Sequence, residues 1–268
     1  MTIQLLGTGA AEGIPAIFSD TRVSEFARTH GGKDVRTRCS ALLDGRVKID
    51  FGPDSLYQIQ REGLDARDWE ALVFTHSHDD HFSISELQYF LYPFSSRTEM
   101  PFPIYANEVI CNQIRQHYPD WPFDLVQTRS FDTFDMGSYK LTPVSAHHMD
   151  DEDAQNLLFE RDGKTVLYAT DTGKWFDQTW DFLRGKRLDL LIIECTNGVA
   201  YSDYDGHLGV ESLGSVLDRL RQQGTLDSVT PVASTHHSHN GEATYRELVE
   251  VLQPLGVTAG FDGLTVSV

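Results

Sequence analysis

The chain reads as an α/β protein in which two β-sheets pack together with helices outside. Three observations predict it. Strand patterns dominate the N-terminal half, with helical patterns after them. The C-terminal third alternates strand with helix, as α/β layers do. Four apolar strands run into a histidine or an aspartate, at His76, His148, Asp171 and His236. Strand ends along one sheet edge converge, and open α/β folds place their ligands there.

"TIQLLGTG" is a short strand entering a glycine turn, and "ALLDGRVKIDFG" is a hairpin with an Asp-Gly turn at 44–45. "EALVFTH" is a buried strand leading into the first histidine cluster. "SISELQYFLY" and "ANEVICNQIRQHY" carry helical spacing, with Ser83 and Asn107 as N-caps. "SYKLTPVSAHH" is a strand, and "LLFERDGKTVLYATD" a hairpin around Asp162-Gly163 that ends at Asp171. Next come the strand "LDLLIIECT" and the helix "GVESLGSVLDRLRQQG", which Gly224 stops. "SVTPVASTHH" is a strand, "GEATYRELVEVLQP" a helix and "VTAGFDGLTVSV" a final hairpin. No repeat or linker interrupts residues 1–268, which read as a single domain.

The formal charge is −18, from 40 acidic and 22 basic residues. Such a surface repels polyanions at long range, so a nucleic acid polymer is not an expected partner. A small anionic substrate stays compatible, because a bound cation dominates its own site. No stretch approaches the roughly 18 apolar residues of a membrane span, and the N-terminus lacks the pattern of a signal peptide. Cys39, Cys111 and Cys195 read as reduced thiols. These features suggest a cytoplasmic protein away from membranes; a homodimer is compatible with them.

"THSHDDHF" supplies His76, His78, Asp80 and His81. Residues two apart on an extended segment face one side, so His76 and His78 can grip one ion together. After a turn, Asp80 and His81 can face a neighbouring position. Imidazoles mixed with carboxylates suit zinc, with iron and manganese as competitors. Asp79 falls outside this pattern and reads as a solvated loop residue.

This HxHxDH run, with a later His, Asp and His each at a strand end, resembles the metallo-β-lactamase fold superfamily. The resemblance spans "LLGTGAAEGIP", "IDFGPD", "YATDTG" and "STHHSH". It implies a four-layer αβ/βα sandwich, two mixed sheets flanked by helices. It also implies two divalent metal ions: His76, His78 and His148 on one, Asp80, His81 and His236 on the other, with Asp171 bridging. Strand alternation lets only one of His147 and His148 face the site; the family pattern places His148 in register. Asp50 resembles the family's buried support behind the HxHxDH loop, with a simple turn residue as the other reading.

Two cations about 3.5–4 Å apart can hold a hydroxide and polarise the bond under attack, so hydrolysis needs no protein nucleophile. The catalytic expectations are Asp80 at the metals and His207, in "YDGHLGVES", as proton donor to the leaving group. "LGTGAAEGIPA", "GGKDVRTRCS" and "DGHLGVES" resemble the cyclic-phosphate phosphodiesterases of the carbon–phosphorus lyase accessory type. That branch implies a small phosphodiester, cyclic phosphoribosyl compounds included. Arg36 and Arg38 are candidate phosphate contacts. One departure stands out. The branch often carries a structural zinc on a CxCxxC loop and a late histidine, whereas Ser19, Thr21 and Ser24 occupy those positions here. No second structural zinc is therefore expected, and His239 is left to hydrogen-bond locally. A lactonase, a thioesterase and a catalytically idle metal-binding accessory protein are the alternative readings; a ribonuclease Z-type role lacks its basic face.

Overall fold

The run Leu190–Glu194 is apolar at consecutive positions because both of its faces are covered. Leu190 and Ile192 point between two sheets, while Leu191 and Ile193 point outward beneath helices. That arrangement extends throughout the computed structural model, which describes residues 1–268.

Strands β1 (Thr2–Gly7), β2 (Ser40–Leu43), β3 (Val47–Ile49), β4 (Ala71–Val73), β5 (Ile104–Ala106) and β6 (Leu125–Gln127) lie in the first sheet. The second holds β7 (Phe134–Met136), β8 (Tyr139–Ser145), β9 (Gln155–Arg161), β10 (Lys164–Ala169), β11 (Leu190–Glu194), β12 (Val232–Thr235) and β13 (Val257–Thr258). Strand β14 (Thr265–Ser267) returns to the first. Each sheet has 7 strands, ordered β14-β1-β2-β3-β4-β5-β6 and β13-β12-β11-β10-β9-β8-β7. Both are mixed: β3 to β6 and β10 to β13 pair in parallel, the remainder antiparallel.

The helices are α1 (Arg22–His30), α2 (Ser55–Glu62), α3 (Glu108–His117), α4 (Asp177–Leu183), α5 (Val210–Gln222) and α6 (Tyr245–Leu252). Helix α3 packs Ile110 and Ile114 on the outer face of the first sheet. Helices α4 to α6 cover the second with Trp180, Leu183, Leu213, Leu217, Leu220, Leu248 and Leu252. Asn107 caps α3 by accepting from the Ile110 N–H at 3.0 Å. Gly224, at φ +76°, follows α5. The architecture is thus the predicted four-layer sandwich, and no helix is long and apolar enough to cross a membrane.

Several local expectations are corrected. The final hairpin does not form: β13 pairs with β12, whereas β14 pairs with β1 in the other sheet. Residues Ile84–Phe90 form a 3-10 helix; Ile84, Leu87 and Phe90 recur every third residue, which suits that repeat. Ser83 makes no capping bond to it. The segment after "GIPA" is helical at α1, and α2 lies in the strand-rich half. Strands β4, β8 and β10 end at Val73, Ser145 and Ala169, short of the site residues they lead to.

Candidate metal centre

After β4 the buried Phe74 and Thr75 carry the chain outward to His76. The amides of His81 and Phe82 both donate to the His78 carbonyl, at 3.0 and 2.8 Å. This turn swings Asp80 and His81 back inward while Asp79 stays exposed. The turn packs on the end of β3 because residue 52 is glycine: a Cβ there would lie 2.0 Å from the Asp80 carbonyl. Asp50, Asp171 and His236 adopt left-handed backbone, with φ of 57°, 49° and 54°. Such a residue ends a strand abruptly, at a cost of order 1 kcal/mol or more.

Two groups of ligand atoms converge. His78 Nδ1 lies 3.0 Å from both His76 Nε2 and His148 Nε2. Beside them His81 Nε2 is 3.2 Å from Asp80 and 3.0 Å from Asp171, and His236 Nε2 is 3.1 Å from Asp171 and 3.7 Å from Asp80. Asp171 turns Oδ2 toward His81 and His236 and Oδ1 toward His148, at 3.4 Å. Three imidazole nitrogens at this spacing approach the edge of a tetrahedron around one ion, about 3.3 Å for bonds near 2.0 Å. Buried His81 Nε2 and His236 Nε2, both facing Asp171, are in no hydrogen bond. The donor chemistry and these unsatisfied nitrogens fit divalent cations.

The opposite edges of the rings are held from behind. His81 Nδ1 meets Asp50 Oδ2 at 2.7 Å, His76 Nδ1 meets Thr75 Oγ1 at 3.1 Å and His236 Nδ1 meets Thr196 Oγ1 at 2.9 Å. Asp50 also accepts from the Thr75 amide at 2.8 Å. Such partners fix ring orientation and raise ligand basicity. Burial, aided by neighbouring histidines, pushes His76 well below its ordinary value, and burial lowers His148 too, so both favour the neutral form a ligand needs. Burial also opposes charge on His81, yet Asp80, Asp171 and Asp50 hold it well above its usual value.

His207 borders this group, its ring centroid 4.9 Å from that of His148 and 5.5 Å from that of His236. It lies in the turn before α5, not at the helix start itself. Nδ1 faces the fully buried Glu194 carboxylate at 3.0 and 3.2 Å, leaving Nε2 as the other polar edge. Burial disfavours its charged form, but the Glu194 charge and hydrogen bond prevail and raise the pKa to about 9. Glu194 also accepts from the amides of Thr172 at 2.7 Å and Leu208 at 3.2 Å, tying three site loops together. Sequence reading passed over Glu194, although "LLIIE" is an apolar strand ending in an acid, as "LYATD" is.

The two arginines take other roles. Arg36 is 3% exposed, and its Nη1 donates to Thr8 Oγ1 at 2.7 Å and the Gly260 carbonyl at 2.8 Å. It clamps distant loops from the interior, so its assignment as a phosphate contact is corrected. Arg38 is likewise engaged, with Asp54 at 3.0 Å and the Ala11 carbonyl at 2.9 Å. His147 stays at the surface against the Lys174 carbonyl, and His237 is buried against Ser234. His239 Nδ1 lies 3.2 Å from Ser19 Oγ and 3.0 Å from Thr21 Oγ1. Ser24 turns away to accept from the Ala16 amide.

The family model described as the beta-lactamase superfamily domain matches residues 45–253. The chain belongs to this superfamily. Its fold is that of the metallo-hydrolases. No curated protein matches the chain. Among solved structures, a diphosphatase of the PhnP family aligns at 24% identity and TM-score 0.79, over 100% of this chain and 97% of that one. Zn(2+)-bound PqqB from Methylobacterium extorquens aligns at 18% and 0.77, over 100% of both chains. The short form of human tRNase Z aligns at 18% and 0.65, over 100% and 99%.

Proposed function

We propose that this superfamily member is a dinuclear metal-dependent phosphodiesterase acting on a small phosphodiester. The observation that carries the reading is His207, a histidine held by a buried carboxylate at the rim of the five imidazoles and two carboxylates above. In this reading His76, His78 and His148 hold one cation, Asp80, His81 and His236 the other, and Asp171 spans the two. Bound there, divalent cations such as zinc supply an activated water and a Lewis acid for the bond under attack. Asp50, Thr75 and Thr196 keep the ligand rings aimed. As the new P–O bond forms and the bond to the leaving oxygen breaks, that oxygen takes its proton from His207 Nε2. Glu194 fixes the tautomer and favours the charged imidazole beforehand. A solved structure named a diphosphatase and another named a tRNase support hydrolysis at phosphorus, while the −18 charge argues for a small substrate over a polymer.

The test is turnover of bis-p-nitrophenyl phosphate against lactone and thioester panels by metal-loaded protein, with metal content from elemental analysis. About two metals per chain and a preference for diesters are expected. On a diester with an unactivated alkyl leaving group, which unlike p-nitrophenolate needs a proton to depart, His207→Ala should lower kcat by roughly 10²–10⁴-fold with metal content intact. Equal turnover of that diester by the variant would remove His207 as donor, and faster lactone or thioester hydrolysis would overturn the substrate class.

A further inference from the structure

A cavity of about 890 Å³ opens beside His207, between α4, α5 and the loop 197–209. None of His76, His78, Asp80, His81, His148, Asp171 and His236 lines it; among the site residues only His207 does. A proton donor must stand within about 2.6–3.2 Å of the oxygen it protonates. Whatever is attached to the leaving oxygen therefore lies on the His207 side of the scissile bond, the side on which this cavity opens.

The walls describe the occupant. Trp175 and Trp180, tilted at 41° with ring centroids 4.9 Å apart, form a buried wall, and Arg219 lies 4.0 Å over the Trp180 ring. Tyr201 and Tyr204, on the loop, are 88% and 55% exposed, and the Tyr204 ring is 5.7 Å from that of His207. Exposed aromatic faces around a cavity favour a planar partner that stacks on them. Charge points the same way, since Asp177, Asp203, Asp205 and Glu211 line the cavity against Lys174 and Arg219. A second phosphate would meet more carboxylates than cations there.

We infer that this cavity binds the departing group of the substrate, and that this group is a planar, uncharged alcohol of nucleoside size. The inference rests on the phosphodiesterase reading, because it uses His207 as the donor. It is tested on the metal-loaded protein by quenching of tryptophan fluorescence with uridine, orotidine (the same nucleoside bearing a ring carboxylate) and ribose. Uridine should quench saturably, with orotidine and ribose at least about tenfold weaker. Ser215→Tyr fills the cavity from the exposed face of α5. It should weaken uridine by about tenfold or more and raise KM for bis-p-nitrophenyl phosphate, while kcat and metal content change little. Equal binding of uridine and ribose, or of uridine and orotidine, would overturn the planar or the uncharged character. Diester turnover with unaltered KM in Ser215→Tyr would remove the cavity from catalysis while leaving the phosphodiesterase reading in place. Failure of the wild-type protein to turn over any diester would instead strike the reading itself.

Discussion

His236 and His239 stand three positions apart on one loop, yet their surroundings are opposites. His236 Nε2 is buried without a hydrogen bond and faces Asp171 and Asp80. His239 Nδ1 is satisfied by two hydroxyls, with Glu12 3.6 Å from its other nitrogen. Histidine density therefore does not mark the metal centre. What marks it is convergence of buried imidazole and carboxylate atoms from several loops, with His81 Nε2 and His236 Nε2 left in no hydrogen bond. At His239, Ser19 and Thr21 instead occupy Nδ1 with hydrogen bonds.

The largest effect should come from breaking the buried side of this contrast. Asp171→Ala removes the one carboxylate that faces both groups of ligand atoms and leaves His81, His236 and His148 unbalanced. It should cost more than the roughly 10–100-fold in metal affinity typical of residues behind a ligand. Loss of at least one metal per chain together with diester turnover is expected; full metal content would refute the bridging role. Behind the ligands, Asp50→Asn keeps the shape but weakens the bond to His81 Nδ1 and should fall in that 10–100-fold range. Competition with a chromophoric chelator measures it.

Glu194→Gln tests the neighbouring pair through pH. Burial opposes charge on His207, but Glu194 above all, with Asp171 and Asp80, raises its pKa to about 9, so removing the Glu194 charge returns the imidazole toward lower values. A proton donor fails as pH rises through its pKa. The alkaline limb of the kcat profile should therefore shift to lower pH in the variant, with roughly tenfold lower kcat near pH 8. An unchanged limb would mean that His207 does not set it.

The contrast also explains what the sequence makes legible. The ligand residues declare themselves through a dense HxHxDH run and through polar residues that end apolar strands, a pattern local in sequence. Arg36 has no such signature: its burial depends on the Gly260 carbonyl, 224 residues away. The C-terminal hairpin misleads for a related reason. Asp262-Gly263 looks like a hairpin turn, but Asp262 accepts from the amides of Thr8 and Thr37 at 2.9 and 2.8 Å. Those long-range bonds hold the turn between the sheets and send its flanking strands to different partners. Helix α1 does carry helical spacing, with Val23, Phe26 and Ala27 at i, i+3 and i+4, but over only nine residues, so the segment reads as a loop.

The smallest effect belongs to the satisfied side. His239→Ala removes bonds to two hydroxyls in a half-buried cluster, where each neutral hydrogen bond contributes about 1 kcal/mol net. A loss of about 1–2 kcal/mol is expected, or several degrees in Tm, with metal content and kcat nearly unchanged. A metal lost on this substitution would mean that the hydroxyl cluster holds an ion after all. The converse substitution makes the comparison sharper. Ser19→Cys with Thr21→Cys would place two thiolates beside the His239 imidazole and within reach of the Glu12 carboxylate, a donor set that zinc prefers to hydroxyls. One additional zinc per chain in the double variant, absent when His239→Ala is added, would show that two side chains separate a hydrogen-bonded latch from a metal site on the same backbone.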